Sequence, residues 1–164
     1  LSKNGTPDVY VCNIDGTGLT RLTSTPEDES SPCWSPDGST ICFASRVNER
    51  RGLYTVPATG GSMKRLRTDG VANPSEPDWS PDGKTIIFTS QMGRFQICTI
   101  PASGGTASVL VEGEDPSWPP NSRTVVFTKR VGRKRLLSLL DVPSKRVKDT
   151  AQVSGSRSQP SWAK

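Results

Sequence analysis

The sequence predicts an all-β fold built from a repeated unit, and two observations carry this prediction. The segment 31–45 returns in recognisable form at 76–90, each time as Trp-Ser-Pro-Asp-Gly followed by a β-branched and aromatic run. No stretch of the chain has the helical period over a length that could compete with this pattern. An internal repeat means that each unit is one supersecondary element that buries its apolar face by stacking on a neighbour.

The spacing of the repeat predicts the kind of unit. The tryptophans at positions 34, 79, 118 and 162 are 45, 39 and 44 residues apart, which is the period of a four-stranded propeller blade. In the first three copies a phenylalanine follows the tryptophan by nine residues. The residues that define the repeat are Trp34, Asp37, Gly38, Phe43, Trp79, Asp82, Gly83, Phe88, Trp118, Phe127 and Trp162.

Each copy predicts four strands in order. An inner strand begins at Pro-x-Trp, and Ser-Pro-Asp-Gly forms a tight turn in which Gly38 and Gly83 take positive φ. The run 40–45 has the composition of a second strand, and 53–57 that of a third. Gly60 and Gly61 then form a hairpin turn that leads into a last strand at 62–66. The four tryptophans are expected at equivalent positions, packed between neighbouring sheets.

These motifs resemble the TolB-like β-propeller repeat, whose blades carry Trp-Ser-Pro-Asp-Gly followed by two strands. The resemblance covers residues 1–164, although the third copy has Pro119-Pro120-Asn121-Ser122 in place of the turn. In the family the repeat occurs in a periplasmic Tol-Pal component and in the propellers of prolyl oligopeptidase relatives and tricorn-like proteases. The resemblance implies the fold and a periplasmic or extracellular location, and it leaves function open.

The repeat also predicts how the chain is divided. Residues 1–164 are interpreted as part of one propeller, with about three full blades and one split blade. The units are 1–30 (the end of the split blade and a connection), 31–75, 76–114 and 115–158 (one blade each), and 159–164 (the start of the next blade). Because propellers close with about four to eight blades, we expect a piece of a larger propeller or self-association through open blade edges.

Composition agrees with short strands and tight turns, and the charge is locally basic. The chain has 15 Gly, 14 Pro and a net charge of +5. Basic residues crowd the third blade, where 129–135 is expected to be the loop between its second and third strands. Such a cluster is either a solvated turn or a patch for an acidic partner. A nucleic acid is disfavoured because no aromatic residues alternate with the basic ones, and no apolar run reaches membrane length.

Catalytic and metal-binding chemistry finds little support in the sequence. The chain has no histidine to act as a base or zinc ligand, and its four cysteines lack C-x-x-C spacing. Cys42 and Cys98 are therefore interpreted as core residues. The acidic residues at 27–29 and 112–115 are expected to be solvated loop charges, and Asp37 and Asp82 to hold turns. The sequence predicts no catalytic residue, no metal site and no cofactor.

The remaining expectation concerns recognition. If strands run outward from the centre, the loops between second and third strands share one rim with the connections between blades, and they vary among copies. The predicted partner-binding residues on this rim are Arg46, Arg50, Arg51, Arg94, Phe95, Lys129, Arg130, Arg133, Lys134 and Arg135. Two functions stay open: a non-catalytic module or scaffold that binds a protein or peptide on these loops or in the central channel, and the propeller of a larger hydrolase that gates substrate access.

Overall fold

The computed structural model describes residues 6–121 and 123–150, and this part of the chain contains β-strands and no helix. The strands are β1 (Tyr10–Val11), β2 (Thr20–Arg21), β3 (Glu29–Trp34), β4 (Thr40–Val47), β5 (Arg50–Pro57), β6 (Lys64–Arg65), β7 (Thr68–Asp69), β8 (Ser75–Trp79), β9 (Thr85–Met92), β10 (Arg94–Pro101), β11 (Gly105–Thr106), β12 (Ser108–Glu112), β13 (Glu114–Ser117), β14 (Thr124–Val131), β15 (Lys134–Asp141) and β16 (Arg146–Asp149). The all-β prediction is confirmed.

Three antiparallel four-stranded sheets form the body of the molecule. The first blade has the order β3-β4-β5-β6, the second β8-β9-β10-β12 and the third β13-β14-β15-β16. Strands β1 and β2 form a separate two-stranded sheet before the first blade. The first strands of successive blades, β3, β8 and β13, neighbour one another. This arrangement of blades side by side around their first strands is the predicted one.

The Trp-Ser-Pro-Asp-Gly segments form the predicted turns. Gly38 has φ 70° and Gly83 has φ 74°, a left-handed conformation that favours glycine. In the first blade the amide of Gly38 donates to the Ser35 carbonyl at 2.9 Å, and the Ser35 hydroxyl accepts from the Thr40 amide at 3.0 Å. Asp37 accepts from the Ser35 hydroxyl at 2.5 Å and from the Ser39 amide at 3.1 Å. The side chains thus tie the turn together.

The third copy reaches a related turn with different residues. Pro119 occupies the place of Ser35 and has no hydroxyl to offer to the backbone. Asn121, in the place of Asp37, compensates because its Oδ1 accepts from two amides, those of Arg123 at 3.0 Å and Thr124 at 3.1 Å. The side-chain oxygen of Asn121 therefore accepts both of the backbone hydrogen bonds that Ser35 and Asp37 share in the first blade.

The prediction that the tryptophan begins the inner strand is wrong. Trp34 and Trp79 are the last residues of β3 and β8, and Trp118 directly follows β13. Each inner strand begins before the repeated segment and contains a β-bulge, at which Ser31, Glu76 and Asp115 have φ of 53°, 52° and 54°. The residues directly before the bulge are Ser30, Ser75 and Glu114, which are not the same in all three copies, so the strand start leaves no consistent repeated signal.

The tryptophans do occupy equivalent register positions, but their packing differs. Trp34 pairs with Ile41, and Trp79 pairs with Ile86 in the same way. Trp118 is 2% exposed, Trp79 is half-buried, and Trp34 is 50% exposed, so the expectation that all pack between sheets is wrong for Trp34. Among the described residues, the sheet before Trp34 has two strands, β1 and β2, whereas full blades precede the other two tryptophans. Trp162 lies outside the described residues.

Hydrophobic clusters between consecutive sheets form the core. Phe43 and Tyr54 of the first blade pack with Val9 and Leu22 around the β1-β2 sheet. Leu53 of the first blade belongs to a cluster with Ile86 and Phe88 of the second blade. A further apolar cluster lies between the second and third blades. The phenylalanines of the repeat, Phe43, Phe88 and Phe127, are each 0% exposed. Stacking of sheets therefore supplies the apolar burial that stabilises the fold.

A parallel bridge links the outer parts of the first two blades, and nothing in the sequence predicted it. Strand β11 pairs with β7, with Gly105 opposite Thr68. The Gly105 amide donates to the Arg67 carbonyl at 2.8 Å. Gly104 has φ 79°, and a Cβ at this position would lie 2.8 Å from the Arg67 amide nitrogen. The Gly-Gly turn of the second blade thus also allows β11 and β7, two segments of the same chain, to approach closely.

The cysteines behave largely as predicted. Cys42 and Cys98 are 0% exposed and belong to the core between the first and second blades, which confirms their interpretation as small core residues. Burial raises the pKa of the Cys98 thiol to about 11, which keeps it protonated and unreactive at neutral pH. Cys12 is exposed.

Candidate partner-binding rim

The predicted site residues lie at the ends of three long hairpins. The segments expected to be loops are mostly strand, a correction to the sequence interpretation: β4 and β5 are separated only by Asn48 and Glu49, and β14 and β15 only by Gly132 and Arg133. Asn48, Glu49 and Gly132 all have positive φ, which suits tight hairpin turns. The basic side chains therefore sit on ordered strand ends.

A groove lies between the end of the β4–β5 hairpin and the connection from the first to the second blade. Its volume is about 460 Å³, and residues 49–51, 65–69 and 71–74 line it. The groove therefore brings a second-to-third-strand turn together with a connection between blades, as the rim prediction requires. Arg50 and Arg51 are exposed, and neither forms an ion pair with any residue that the structure describes.

A second groove occupies the corresponding place between the second and third blades. Its volume is about 200 Å³, and its lining includes Arg94, Phe95 and Arg130 from the predicted set. Here the charges are balanced within the protein. Arg94 Nη1 lies 3.0 Å from Glu112 Oε2, and both groups line the groove.

The other predicted residues lie near this rim but line neither groove. Lys129 pairs with Asp149 at 3.1 Å, and Arg135 pairs with Glu114 at 3.2 Å. Arg46 stands directly opposite Arg51 in the β4–β5 register. Arg133 and Lys134 are exposed at the turn of the β14–β15 hairpin. The structure thus gathers Arg50 and Arg51 in one groove and Arg94, Phe95 and Arg130 in the next.

Sequence reasoning missed two arginines of the first groove, Arg65 and Arg67. Both come from the outer edge of the first blade, where Arg65 ends β6 and Arg67 begins the connection. Arg67 pairs with Asp69, and Arg65 lies against Gly52, whose missing Cβ leaves room for the guanidinium. The basic run at 64–67 was the available signal, but nothing local indicated that an outer strand reaches the rim.

The acidic residues expected to be solvated are in part buried, which corrects the sequence interpretation. Glu29, Glu114 and Asp115 are buried, and three hydroxyls hold the Glu29 carboxylate, those of Thr23 at 2.9 Å, Thr25 at 2.6 Å and Ser45 at 3.1 Å. Such bonds satisfy a buried charge structurally. Among the residues that the structure describes, no group of three or more His, Cys, Asp or Glu side chains could hold a metal ion.

Two carboxylates on β8 join the second blade to the third. Glu76 Oε2 accepts from the Asp115 amide at 3.0 Å and from the Thr89 hydroxyl at 2.6 Å. Asp78 Oδ2 accepts from the Trp118 amide at 2.7 Å. Burial raises the pKa of the Glu76 carboxyl above its usual range, and the nearby Asp115 charge adds to the effect. These groups serve blade packing.

Asp37 and Asp82, which repeat in the sequence, have the structural role expected of them. Hydrogen bonds from the Ser35 hydroxyl, and then from Ser39, lower the pKa of Asp37 to about 2. The Ser80 hydroxyl and the Lys84 amide lower the pKa of Asp82 in the same way. Each carboxylate is therefore ionised at neutral pH and engaged within its own turn.

Four-stranded sheets stacked on one another, with their first strands as neighbours, define a β-propeller domain. Comparison with known protein families identifies the propeller family to which the chain belongs. The model of the TolB β-propeller domain matches residues 1–164, so the chain belongs to the TolB β-propeller domain family. Within the described residues no helix is long and apolar enough to cross a membrane.

Among curated proteins the chain is similar to a TolB homolog of Chlorobium luteolum. The two are 33% identical over 71 residues, which is 43% of this chain and 16% of that protein. The chain therefore spans about a sixth of the relative's length. A second relative, the Tol-Pal system protein TolB of Syntrophus aciditrophicus, is 34% identical over 53 residues, 32% of this chain and 12% of that protein.

Solved structures show the same fold. TolB from Acinetobacter baumannii superposes with a TM-score of 0.84 at 25% identity, over 99% of this chain and 42% of that one. TolB from Agrobacterium tumefaciens superposes with a TM-score of 0.83 at 20% identity, over 94% and 57%. The tricorn protease is similar in fold, with a TM-score of 0.64 at 14% identity, over 90% of this chain and 15% of that one.

Proposed function

We propose that this chain is a non-catalytic propeller module that binds a protein or peptide on the rim formed by its hairpin ends and blade connections. One observation carries the proposal: two successive grooves, of about 460 and 200 Å³, open on this rim and are lined by arginine side chains. Exposed arginine is enriched where proteins bind one another. The strands below repeat and pack, whereas the rim residues differ from blade to blade.

The proposed contact residues are those of the rim, with the groove residues foremost. Arg50, Arg51, Arg94, Phe95 and Arg130 line the grooves, and Arg46, Lys129, Arg133, Lys134 and Arg135 surround them. The central channel is the other surface on which a propeller of this family would receive a peptide. The TolB relatives support a periplasmic or extracellular setting, which is part of the proposal.

The alternative function is the propeller of a larger hydrolase that gates substrate access. This alternative is supported by similarity in fold to the tricorn protease and to an acylaminoacyl peptidase of Pyrococcus horikoshii. The TM-score for the peptidase is 0.59 at 17% identity. The full-length protein decides between the two. An α/β-hydrolase segment with a Gly-x-Ser-x-Gly elbow supports gating, and a signal peptide followed by an amino-terminal α/β domain supports the binding module.

Selection of a random phage-displayed peptide library on the immobilised protein tests the binding function. We expect enriched peptides that bind the unaltered protein and fail to bind a rim variant, Arg50→Ala with Arg94→Ala. The control is Lys84→Ala with Arg123→Ala, which removes the same charge from the turns at the opposite ends of the strands. Enrichment that survives the rim variant and is lost in the control variant contradicts the rim assignment.

A further inference from the structure

We propose that the first groove, at 49–51 and 65–74, binds an acidic segment of a partner protein, whose carboxylates pair with Arg50 and Arg51. The inference rests on the proposed function and names the chemistry of its partner. Four arginines and two acidic residues line this groove, and one of these acidic residues, Asp69, already forms an ion pair with Arg67. Arg50, Arg51 and Arg65 have no ion-pair partner among the described residues.

The fold does not require arginine at this place. Arg51 and Arg46 face each other across β4 and β5, and like charges directly opposite one another destabilise a sheet. At the equivalent position of the second blade, Gln91 faces Phe95. The repeat therefore tolerates uncharged residues here, and the first blade carries a repulsive pair that packing does not explain.

The third blade shows how the protein itself satisfies an arginine at this register position. There the opposite pair is Arg130 and Arg135, and Glu114 Oε1 lies 3.2 Å from Arg135 Nη2. Glu114 sits four residues before the tryptophan, and the corresponding residue of the first blade is Ser30, which carries no charge. A carboxylate that is internal in the third blade is thus missing in the first, and a partner would supply it.

Carboxylate is the ligand that the groove fits best. The planar guanidinium forms paired hydrogen bonds with a carboxylate, which makes the contact specific as well as attractive. A single-stranded nucleic acid would require aromatic side chains on which its bases stack, and no residue lining this groove is aromatic. The volume of about 460 Å³ lies in the range in which pockets enclose small ligands, which suits a short peptide segment.

Fluorescence anisotropy with defined peptides tests the inference. The probes are fluorescein-labelled peptides of equal length, one of alternating Glu and Ser and one of alternating Gln and Ser. We expect the Glu–Ser peptide to bind and the Gln–Ser peptide not to bind. Arg50→Ala with Arg51→Ala should weaken binding by about tenfold for each arginine removed, and salt should weaken it further by screening.

The matched control is Lys84→Ala with Lys148→Ala, which removes the same charge from exposed positions away from the groove. It should bind the Glu–Ser peptide like the unaltered protein. Circular dichroism and thermal melting show that each variant is folded, and Arg50→Gln with Arg51→Gln replaces the alanine pair if that pair fails to fold.

Several outcomes overturn the inference. Equal loss in the control variant means that overall charge attracts the peptide, and equal binding of the two peptides means that carboxylates are not recognised. Tighter, arginine-dependent binding of a labelled single-stranded oligonucleotide assigns the groove to nucleic acid. If the phage selection enriches rim-dependent peptides without acidic residues, this inference fails while the proposed function stands. If it enriches none, the proposed function fails as well.

Discussion

Single side chains close the turns of this molecule. The Ser35 hydroxyl and the Asp37 carboxylate satisfy the amides of the first turn, and the same pair recurs at Ser80 and Asp82 in the second. In the third copy Asn121 alone accepts from two amides. Because these bonds are local, the turn forms from its own sequence and needs little support from the rest of the blade.

Gly83 and Gly104 have similar positive φ angles, but only Gly104 lies against a neighbouring backbone segment. Alanine substitutions at the two positions therefore separate the cost of backbone strain from the cost of a steric clash. Gly83→Ala should destabilise the protein by about 1 kcal/mol, because an alanine is strained at φ 74°. Gly104→Ala should cost clearly more, because its Cβ would also lie 2.8 Å from the Arg67 amide nitrogen in the β7–β11 bridge. Urea unfolding of both variants measures the difference. Equal losses would show that the bridge adds nothing at Gly104.

Glu76→Gln should alter how stability depends on pH. Burial raises the folded-state pKa of Glu76 above its usual value near 4.5. The stability contributed by the neutral carboxyl is therefore fully present below that value and is lost as pH rises through the folded-state pKa. Because glutamine stays neutral, the variant should gain in stability relative to the unaltered protein as pH rises above about 4.5 and through the folded-state pKa of Glu76.

Unfolding in urea at a series of pH values measures the effect of Glu76→Gln. Asp28→Asn, at an exposed position, is the control for loss of one negative charge. A stability difference between the Glu76→Gln variant and the unaltered protein that stays constant with pH would refute the raised pKa.

At the scale of the strand, the hairpins carry both the core and the rim. Strands β4, β9 and β14 each bury the central phenylalanine of the repeat, and the next-to-last residue of each strand is exposed and polar or basic: Arg46, Gln91 and Arg130. One hairpin therefore stabilises the blade at its middle and presents side chains at its end. This separation allows the rim to vary without loss of the fold.

Arg51→Glu should stabilise the protein while it weakens binding of an acidic peptide. The change converts a repulsive pair with Arg46 into an attractive one, which is worth about 0.2–1 kcal/mol at low salt. Arg50→Glu is the matched control because Arg50 faces Val47 and no charge is paired there. Urea unfolding at low and high salt measures the gain, which salt should reduce. A loss of stability in Arg51→Glu contradicts the repulsive pair.

At the scale of the whole molecule, each blade depends on its neighbours. The apolar clusters lie between sheets, so a blade removed from the stack would expose one face of its core. The exposure of the tryptophans agrees with this dependence: Trp34 is 50% exposed and follows a sheet with two strands among the described residues, whereas Trp118 is 2% exposed and follows a full blade. Stability is thus a property of the stack more than of any blade.

We predict that residues 1–164 alone do not form a complete, self-sufficient ring. The β1-β2 sheet has two strands among the described residues, and unpaired sheet edges associate with one another. Sedimentation at several protein concentrations should therefore show association that increases with concentration. A stable monomer with four regular four-stranded blades would contradict the prediction.

The repeat, the all-β fold, the tight turns at Gly38 and Gly83 and the core role of Cys42 and Cys98 could be predicted from the amino-acid sequence alone. These features are local or recur at a fixed period, so the pattern of residues along the chain carries the necessary signal. Three features became visible only in the folded molecule: which charges are buried, that the tryptophan ends its strand, and that Arg67 joins Arg50 and Arg51 in one groove. Contacts between strands and connections determine these features, and side chains that meet there are distant in the chain and leave no pattern along it.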